Sequence, residues 1–271
     1  MKKIFKLLLI SITLLMPYHG GYAAIPGFVH TGFSFFYDMV LALNPTFPEK
    51  KILIFGDSIT DTKEGKTSWV QPAMTTLGND TWINFADGGA AFRQRSINGV
   101  EDMPTQLENA AGQHDADIVI VALGTNEYHN NPNASIPSSN NPIVGSFDEA
   151  MAKDINDLSI EDTMYDAIRY AFYTIQQRWN CKAYIILPIQ RAAWNWKHIE
   201  VLYTALEEMA IAYGFEVIDG RKCGIITDFE KRGEEGRDLR DGLHPKNMAA
   251  KEKIAKMVVA KIRETFVDIK H

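Results

Sequence analysis

The amino-acid sequence predicts an α/β fold: a three-layer α/β/α sandwich around a five-stranded parallel sheet. Two features carry that expectation. Short apolar runs recur along the chain without the polar alternation of a one-sided strand, and such runs suit strands buried on both faces. Between them lie longer stretches with apolar residues at helical spacing, and strand–helix alternation implies right-handed crossovers within one sheet.

The runs come in order. Lys51–Phe55 ends at Gly56-Asp57-Ser58, and Thr81–Phe85 leads into Asp87-Gly88-Gly89. Asp117–Leu123 ends at Gly124-Thr125-Asn126, Ala183–Leu187 at Pro188, and Phe215–Ile218 at Asp219-Gly220. Met164, Ile168, Phe172, Ile175 and Trp179 mark one helical stripe, with Ser159 and Asp162 as a capping box ahead of it. Ile199, Leu202, Leu206 and Met209 mark a second, closed by Gly214. Ile254, Met257, Val258, Ile262 and Phe266 mark the last, with Lys and Arg on its other, solvated face. The segment from Tyr128 to Ser146 holds five Asn and three Pro and reads as a long loop, functional or disordered.

The N-terminus reads as an address. Lys2, Lys3 and Lys6 precede an apolar run from Leu7 to Met16, and Gly21 and Ala23 occupy −3 and −1 of a cut after Ala23. That order is the pattern of a secretory signal peptide, and the run is too short for a membrane-spanning helix. The expected organisation is a signal peptide over 1–23, an N-terminal extension over 24–49 and one domain over 50–271. The extension carries Phe28, Phe33, Phe35, Phe36 and Tyr37 but no legible motif. Localisation is expected to be secreted or periplasmic, with no stable membrane anchor after cleavage.

Charge narrows the partners. The chain carries a formal net charge of −6, and 1–23 contains three Lys and no acid, so its removal leaves −9. An acidic surface repels phosphate backbones, so no nucleic-acid partner is expected. Cys181 and Cys223 fall at opposite edges of neighbouring parallel strands and are expected not to pair. No Cys/His cluster has zinc-site spacing, and neither metal nor cofactor is expected.

In an open parallel sheet the strands end on one edge, and ligands bind there. Three polar clusters follow strands directly, and Asp241-Gly-Leu-His244 lies on the path into the last helix. That edge offers what acyl transfer needs: a nucleophile, a base, a group to orient the base, and oxyanion donors. Ser58 is the candidate nucleophile, His244 its base, and Asp241 the group that fixes the imidazole tautomer. The Ser58 and Gly89 backbone N–H groups and the Asn126 amide are candidate oxyanion donors.

Gly56-Asp57-Ser58-Ile59, Asn84-Phe-Ala-Asp-Gly-Gly89, Gly124-Thr125-Asn126-Glu127 and Asp241-Gly-Leu-His244 resemble, in order, the four motif blocks of the SGNH or GDSL hydrolases. The resemblance covers about 50–250. It implies the flavodoxin-like SGNH hydrolase fold, a Ser58–His244–Asp241 triad and an oxyanion hole of Ser58, Gly89 and Asn126. Ile59 replaces the commoner Leu. Glu127 stands where Asp is frequent, and Asp87-Gly88 stand where an apolar–Ser pair is common, so these positions depart from the pattern.

Each residue also has a plainer reading. Ser58 after Gly-Asp suits a helix cap, His244 before Pro245 suits a helix start, and Asn126 and Gly89 suit turns. Asp57 orders its turn. Arg93 and Arg95 either meet an anionic substrate group or are simply solvated. Trp194 and Trp196, after the fourth strand, either stack on a sugar or pack in the core.

The leading expectation is a carboxylic ester hydrolase that removes short acyl groups, such as acetyl from a carbohydrate. The substrate is then a small-molecule or polysaccharide acyl ester. A lipase or lysophospholipase for longer chains is the alternative, although the Asn/Pro-rich loop is too polar for a wide apolar groove. A non-catalytic glycan-binding relative is a third. The Gly-x-Ser-x-Gly elbow of the α/β-hydrolases is absent from the sequence.

Overall fold

The computed structural model describes residues 47, 49–95, 98–127, 144–158, 160, 163–192 and 196–267. The signal and extension readings, apart from Phe47 and the residues next to the domain, lie outside the described residues. So does the Tyr128–Ser146 loop up to residue 143.

Five strands form one all-parallel sheet: β1 (Ile52–Gly56), β2 (Trp82–Asn84), β3 (Ile118–Ala122), β4 (Lys182–Ile186) and β5 (Glu216–Ile218). Their order is β2-β1-β3-β4-β5. Register sets Ile52 beside Trp82 and Ile118, and Gly56 beside Ala122. The ends of β1 and β3 therefore come level. The six main helices are α1 (Val70–Leu77), α2 (Met103–Asn109), α3 (Phe147–Ala152), α4 (Met164–Arg178), α5 (Trp196–Tyr213) and α6 (Met248–Val267).

Strand alternation divides the core in two. Leu53, Phe55, Val119, Val121, Ala183 and Ile185 pack with side chains of α2, α4 and α5. Ile52, Ile54, Ile118, Ile120, Tyr184 and Ile186 point the other way and pack with α1 and α6. Successive strand side chains face opposite ways, so a run that is apolar throughout feeds both layers. The three-layer sandwich follows directly.

Local chemistry sets the ends of the helices. α4 starts one turn from the residues that the sequence suggested as its cap. Thr163 is the N-cap, and its side chain accepts from the Asp166 N–H. Ser159 and Asp162 are outside the described residues. Gly214, at φ +69°, follows the last residue of α5. Phe47 falls within the segment expected to be an extension, yet it is buried and meets the Phe266 ring edge-on at 5.1 Å. The packed body therefore begins a few residues before 50. Cys181 and Cys223 are both free thiols.

Candidate active site

β1 stops at Gly56 and the chain turns at once. The Asp57 carbonyl accepts from the Thr60 and Asp61 N–H groups, each at 2.9 Å, and its carboxylate accepts from the Ile59 N–H at 2.9 Å. These bonds wrap the turn around Asp57. They leave the Ser58 N–H with no acceptor among the described residues. Asp57 is buried, and Thr125 stands beside it at the same small cavity, so the turns after β1 and β3 lie side by side. Burial pushes the Asp57 carboxyl up to about 6, against the pull of the Ile59 N–H and of the His244 charge.

His244 arrives from the far end of the sequence. An antiparallel bridge between Leu239 and Pro245 pinches the segment that carries it, and the Arg240 N–H donates to the His244 carbonyl at 2.9 Å. Gly242 sits at φ +81°, and a Cβ there would lie 2.3 Å from the Lys231 carbonyl oxygen. Only glycine fits that crossing. The result is a chain of three side chains. Ser58 Oγ lies 2.9 Å from His244 Nε2, and His244 Nδ1 lies 2.7 Å from an Asp241 carboxylate oxygen. The other Asp241 oxygen accepts from the Leu243 and His244 N–H groups at 3.0 and 2.8 Å. Burial alone would raise the Asp241 carboxyl, but the bonds from His244 outweigh it and hold it below its ordinary value. A carboxylate fixed in this way keeps Nδ1 protonated and leaves Nε2 free to accept from Ser58.

Gly89 and Asn126 come together beside this turn. Gly89 is at φ +87°, and its N–H has no acceptor among the described residues. The Asn126 amide donates one hydrogen to the Ala90 carbonyl at 2.9 Å, which fixes its plane and leaves the second hydrogen for another acceptor. Asp87 anchors the loop before Gly89: its carboxylate accepts from Lys63 at 3.0 Å and from the Glu101 N–H at 2.8 Å.

Arg93 requires a correction. It does not offer its guanidinium to an anionic substrate group: it is 3% exposed, donates to the Glu127 carboxylate at 3.3 Å and to the Glu127 carbonyl at 3.0 Å. Glu127 is wholly buried and also accepts from the Phe92 N–H, and burial raises its carboxyl even beside Arg93. The Glu127 departure from the family pattern is thus a structural anchor. Arg95 is buried too, against Asp102. Trp196 is the first residue of α5, and Trp194 lies outside the described residues.

Sequence reasoning misses two residues around the site, Asp102 and Gln106. Arg95, expected either to meet an anionic group or to be solvated, is instead buried, and Asp102 gives no signal beyond its charge. Gln106 is buried in α2; its amide accepts from the Gly56 N–H at 3.1 Å and donates to the Gly56 carbonyl at 2.9 Å, locking the end of β1. A glutamine on the apolar side of a short helix was the only available hint.

A cleft of about 390 Å³ opens onto Ser58 and His244. Its other walls are Ile59, Asp61, Gly65, Lys66, Thr67, Arg240, Pro245 and Lys251. Among the described residues no group of three or more His, Cys, Asp or Glu side chains is placed to hold a metal ion.

The fold has solved relatives of low identity. A protein from Lactobacillus plantarum is 18% identical, with a TM-score of 0.56 over 83% of this chain and 99% of that one. An acetyl xylan esterase is 14% identical, with a TM-score of 0.54 over 78% of this chain and 99% of its own. An acetylxylan esterase from Geobacillus stearothermophilus is 13% identical, with a TM-score of 0.54 over 80% and 95%. No curated protein matches the chain. The GDSL-like lipase/acylhydrolase family model matches residues 54–249, from inside β1 to the start of α6. That span takes in the end of β1, all of β2 to β5 and both ends of the Ser58–His244 contact, and the chain belongs to the GDSL-like lipase/acylhydrolase family.

Proposed function

We propose that the protein is a secreted serine esterase that removes short acyl groups, acetyl above all, from a carbohydrate. The observation that carries this reading is the 2.9 Å approach of Ser58 Oγ to His244 Nε2, with Asp241 at 2.7 Å behind the imidazole.

In this reading His244 takes the Ser58 proton as Oγ attacks the ester carbonyl. The Asp241 carboxylate stabilises the imidazolium that results. The Ser58 and Gly89 N–H groups and the free Asn126 amide hydrogen receive the oxyanion. His244 then returns the proton to the departing alcohol, leaving an acyl-Ser58 ester. Water, deprotonated by the same imidazole, releases the acid.

The polar cleft supports a small acyl group and a hydrophilic alcohol over a long lipid chain. Its walls carry Asp61, Lys66, Thr67, Arg240 and Lys251, with Ile59 and Pro245 the apolar contributors. The acetyl xylan esterases among the fold relatives act on that class of ester. Export through residues 1–23 is part of the proposal, and N-terminal sequencing of the exported protein is expected to begin at Ala24.

The deciding experiment is hydrolysis of a p-nitrophenyl ester series and of acetylated xylan by the wild type and Ser58→Ala. Turnover is expected to peak at acetyl and to fall by ~10⁴-fold or more in the variant. A rate that climbs past about eight acyl carbons would reject the acetyl assignment. An active Ser58→Ala would reject the nucleophile.

A further inference from the structure

Three cations gather at the cleft beside Ser58 and His244 in a protein whose net charge is −6. Lys66 is matched: its ammonium lies 2.7 Å from the Asp61 carboxylate, which is buried. Arg240 is 65% exposed and reaches Asp241 only at 3.7 Å, while Asp241 already holds His244 and two backbone N–H groups. Lys251, in the first turn of α6, donates to the Thr67 hydroxyl at 2.6 Å. Among the described residues no carboxylate acts on it as an ion-pair partner. Burial lowers the Lys251 ammonium, and the like charge of Arg240 lowers it further. The two cations thus repel each other across the wall of an open cleft.

Position shows what that wall meets. In ester hydrolysis the imidazole must hand its proton to the departing oxygen, so the alcohol lies on the His244 side of Ser58. The cleft shares Arg240, His244, Pro245 and Lys251 as one wall, while neither Gly89 nor Asn126 lines it. Lys66 is matched by carboxylates on its own side, whereas Arg240 and Lys251 have only the 3.7 Å contact to Asp241 between them, a surplus of one positive charge on that wall. That surplus matches a monoanion.

We infer that Arg240 and Lys251 form a subsite for a carboxylate carried by the leaving alcohol, so that the substrate is the ester of an acidic hydroxy compound such as a sugar acid. The inference rests on the proposed esterase reading for which part of the substrate lies here. The positive wall itself does not depend on turnover.

The test uses 4-acetoxybenzoate and 4-acetoxybenzamide, two acetyl esters of similar shape that differ in charge. At low ionic strength the wild type is expected to prefer the anion by about tenfold in kcat/KM, the scale of one charge-assisted hydrogen bond. The preference is expected to shrink in 0.5 M salt. Lys251→Gln should abolish most of it and Lys251→Glu should invert it. Lys256→Gln, the same change of charge at an exposed position further along α6, should leave the ratio alone. Calorimetry on Ser58→Ala with both uncleaved esters reads the subsite without chemistry, and the anion is expected to bind more tightly. Equal affinities, or a ratio unmoved by Lys251→Glu, would overturn the inference. A preference for 4-acetoxyphenyl phosphate over 4-acetoxybenzoate would overturn the assignment to a carboxylate. Charge-selective binding without turnover of either ester by the wild type would retain the subsite and sink the esterase reading instead.

Discussion

The Arg95 guanidinium donates to the carbonyl oxygen of Gly89 at 2.5 Å. Its other terminal nitrogen reaches the Asn126 carbonyl at 3.4 Å, and Asp102 holds the guanidinium at 2.6 Å and the Arg95 N–H at 2.7 Å. Gly89 follows β2 and Asn126 follows β3, so one buried cation ties together the two loops proposed to bind the oxyanion.

Loosening that tie is expected to cost rate before affinity. A misplacement of about 1 Å in a catalytic group costs on the order of 10²-fold, so Arg95→Met should lower kcat by about that factor with a smaller change in KM. It also strands the Asp102 charge, at a cost of ~3–5 kcal/mol in unfolding free energy. Arg95→Met/Asp102→Asn removes the stranded charge and should recover stability but not kcat. Ester kinetics beside urea melts make the check, and a double variant that recovers both would show Arg95 to be purely structural.

Glu127 and Arg93 make the second buried pair, 0% and 4% exposed at the side chain. Glu127→Ala leaves a guanidinium without its charge partner and the Phe92 N–H without its acceptor. The expected loss is ~3–5 kcal/mol, with Glu127→Gln losing less because its amide oxygen still accepts from Phe92. Chemical denaturation of the three proteins measures it, and an unchanged midpoint in Glu127→Ala would refute the anchoring role.

The two thiols are expected to be inert in the folded protein. Burial pushes Cys181 up to about 11 and raises Cys223 as well. At pH 8 a thiol of pKa 11 is roughly a thousandth thiolate, and the thiolate is the nucleophile. Native protein should therefore resist iodoacetamide at pH 8 and react readily once unfolded, and its Tm should not change with dithiothreitol. Rapid native alkylation, or a Tm that falls on reduction, would contradict the structure.

What the sequence made legible is what repeats or what chain order constrains. Ile52, Ile54, Ile118 and Ile120 announce two-sided burial because an apolar run has one use in a parallel sheet. Ser58, Gly89 and Asn126 stand just after the ends of such runs, and His244 stands on the path into the last helix. The pairs Arg93–Glu127 and Arg95–Asp102 were not legible. A charged residue in a loop reads as solvated until its partner is known, and Glu127 is 34 positions from Arg93. The Gln106 lock on Gly56 spans 50 positions and leaves no local pattern. Lys251 looked like one more lysine on the solvated face of the last helix, and only the packing of that helix beside Thr67 and His244 brings it to the cleft.

Asp57 gives stability a pH dependence of stated sign. Its carboxyl stands at about 6 in the folded protein against 3.8 for the free group, with burial the largest cause. The folded state therefore holds this proton more tightly than the unfolded state. The contribution is fully present below pH 3.8, declines as pH rises between 3.8 and about 6, and is lost above that. The shift corresponds to about 3 kcal/mol. Other carboxylates, Asp241 among them, are held low and act in the opposite direction, so the wild-type profile alone does not isolate the effect. Asp57→Asn does, because every other group is common to both proteins and the amide oxygen can still accept from the Ile59 N–H. The variant's stability relative to wild type should rise by about 3 kcal/mol between pH 3.5 and pH 7.5. Urea melts at those two pH values measure the difference. An equal difference at both would mean that Asp57 does not titrate in this window.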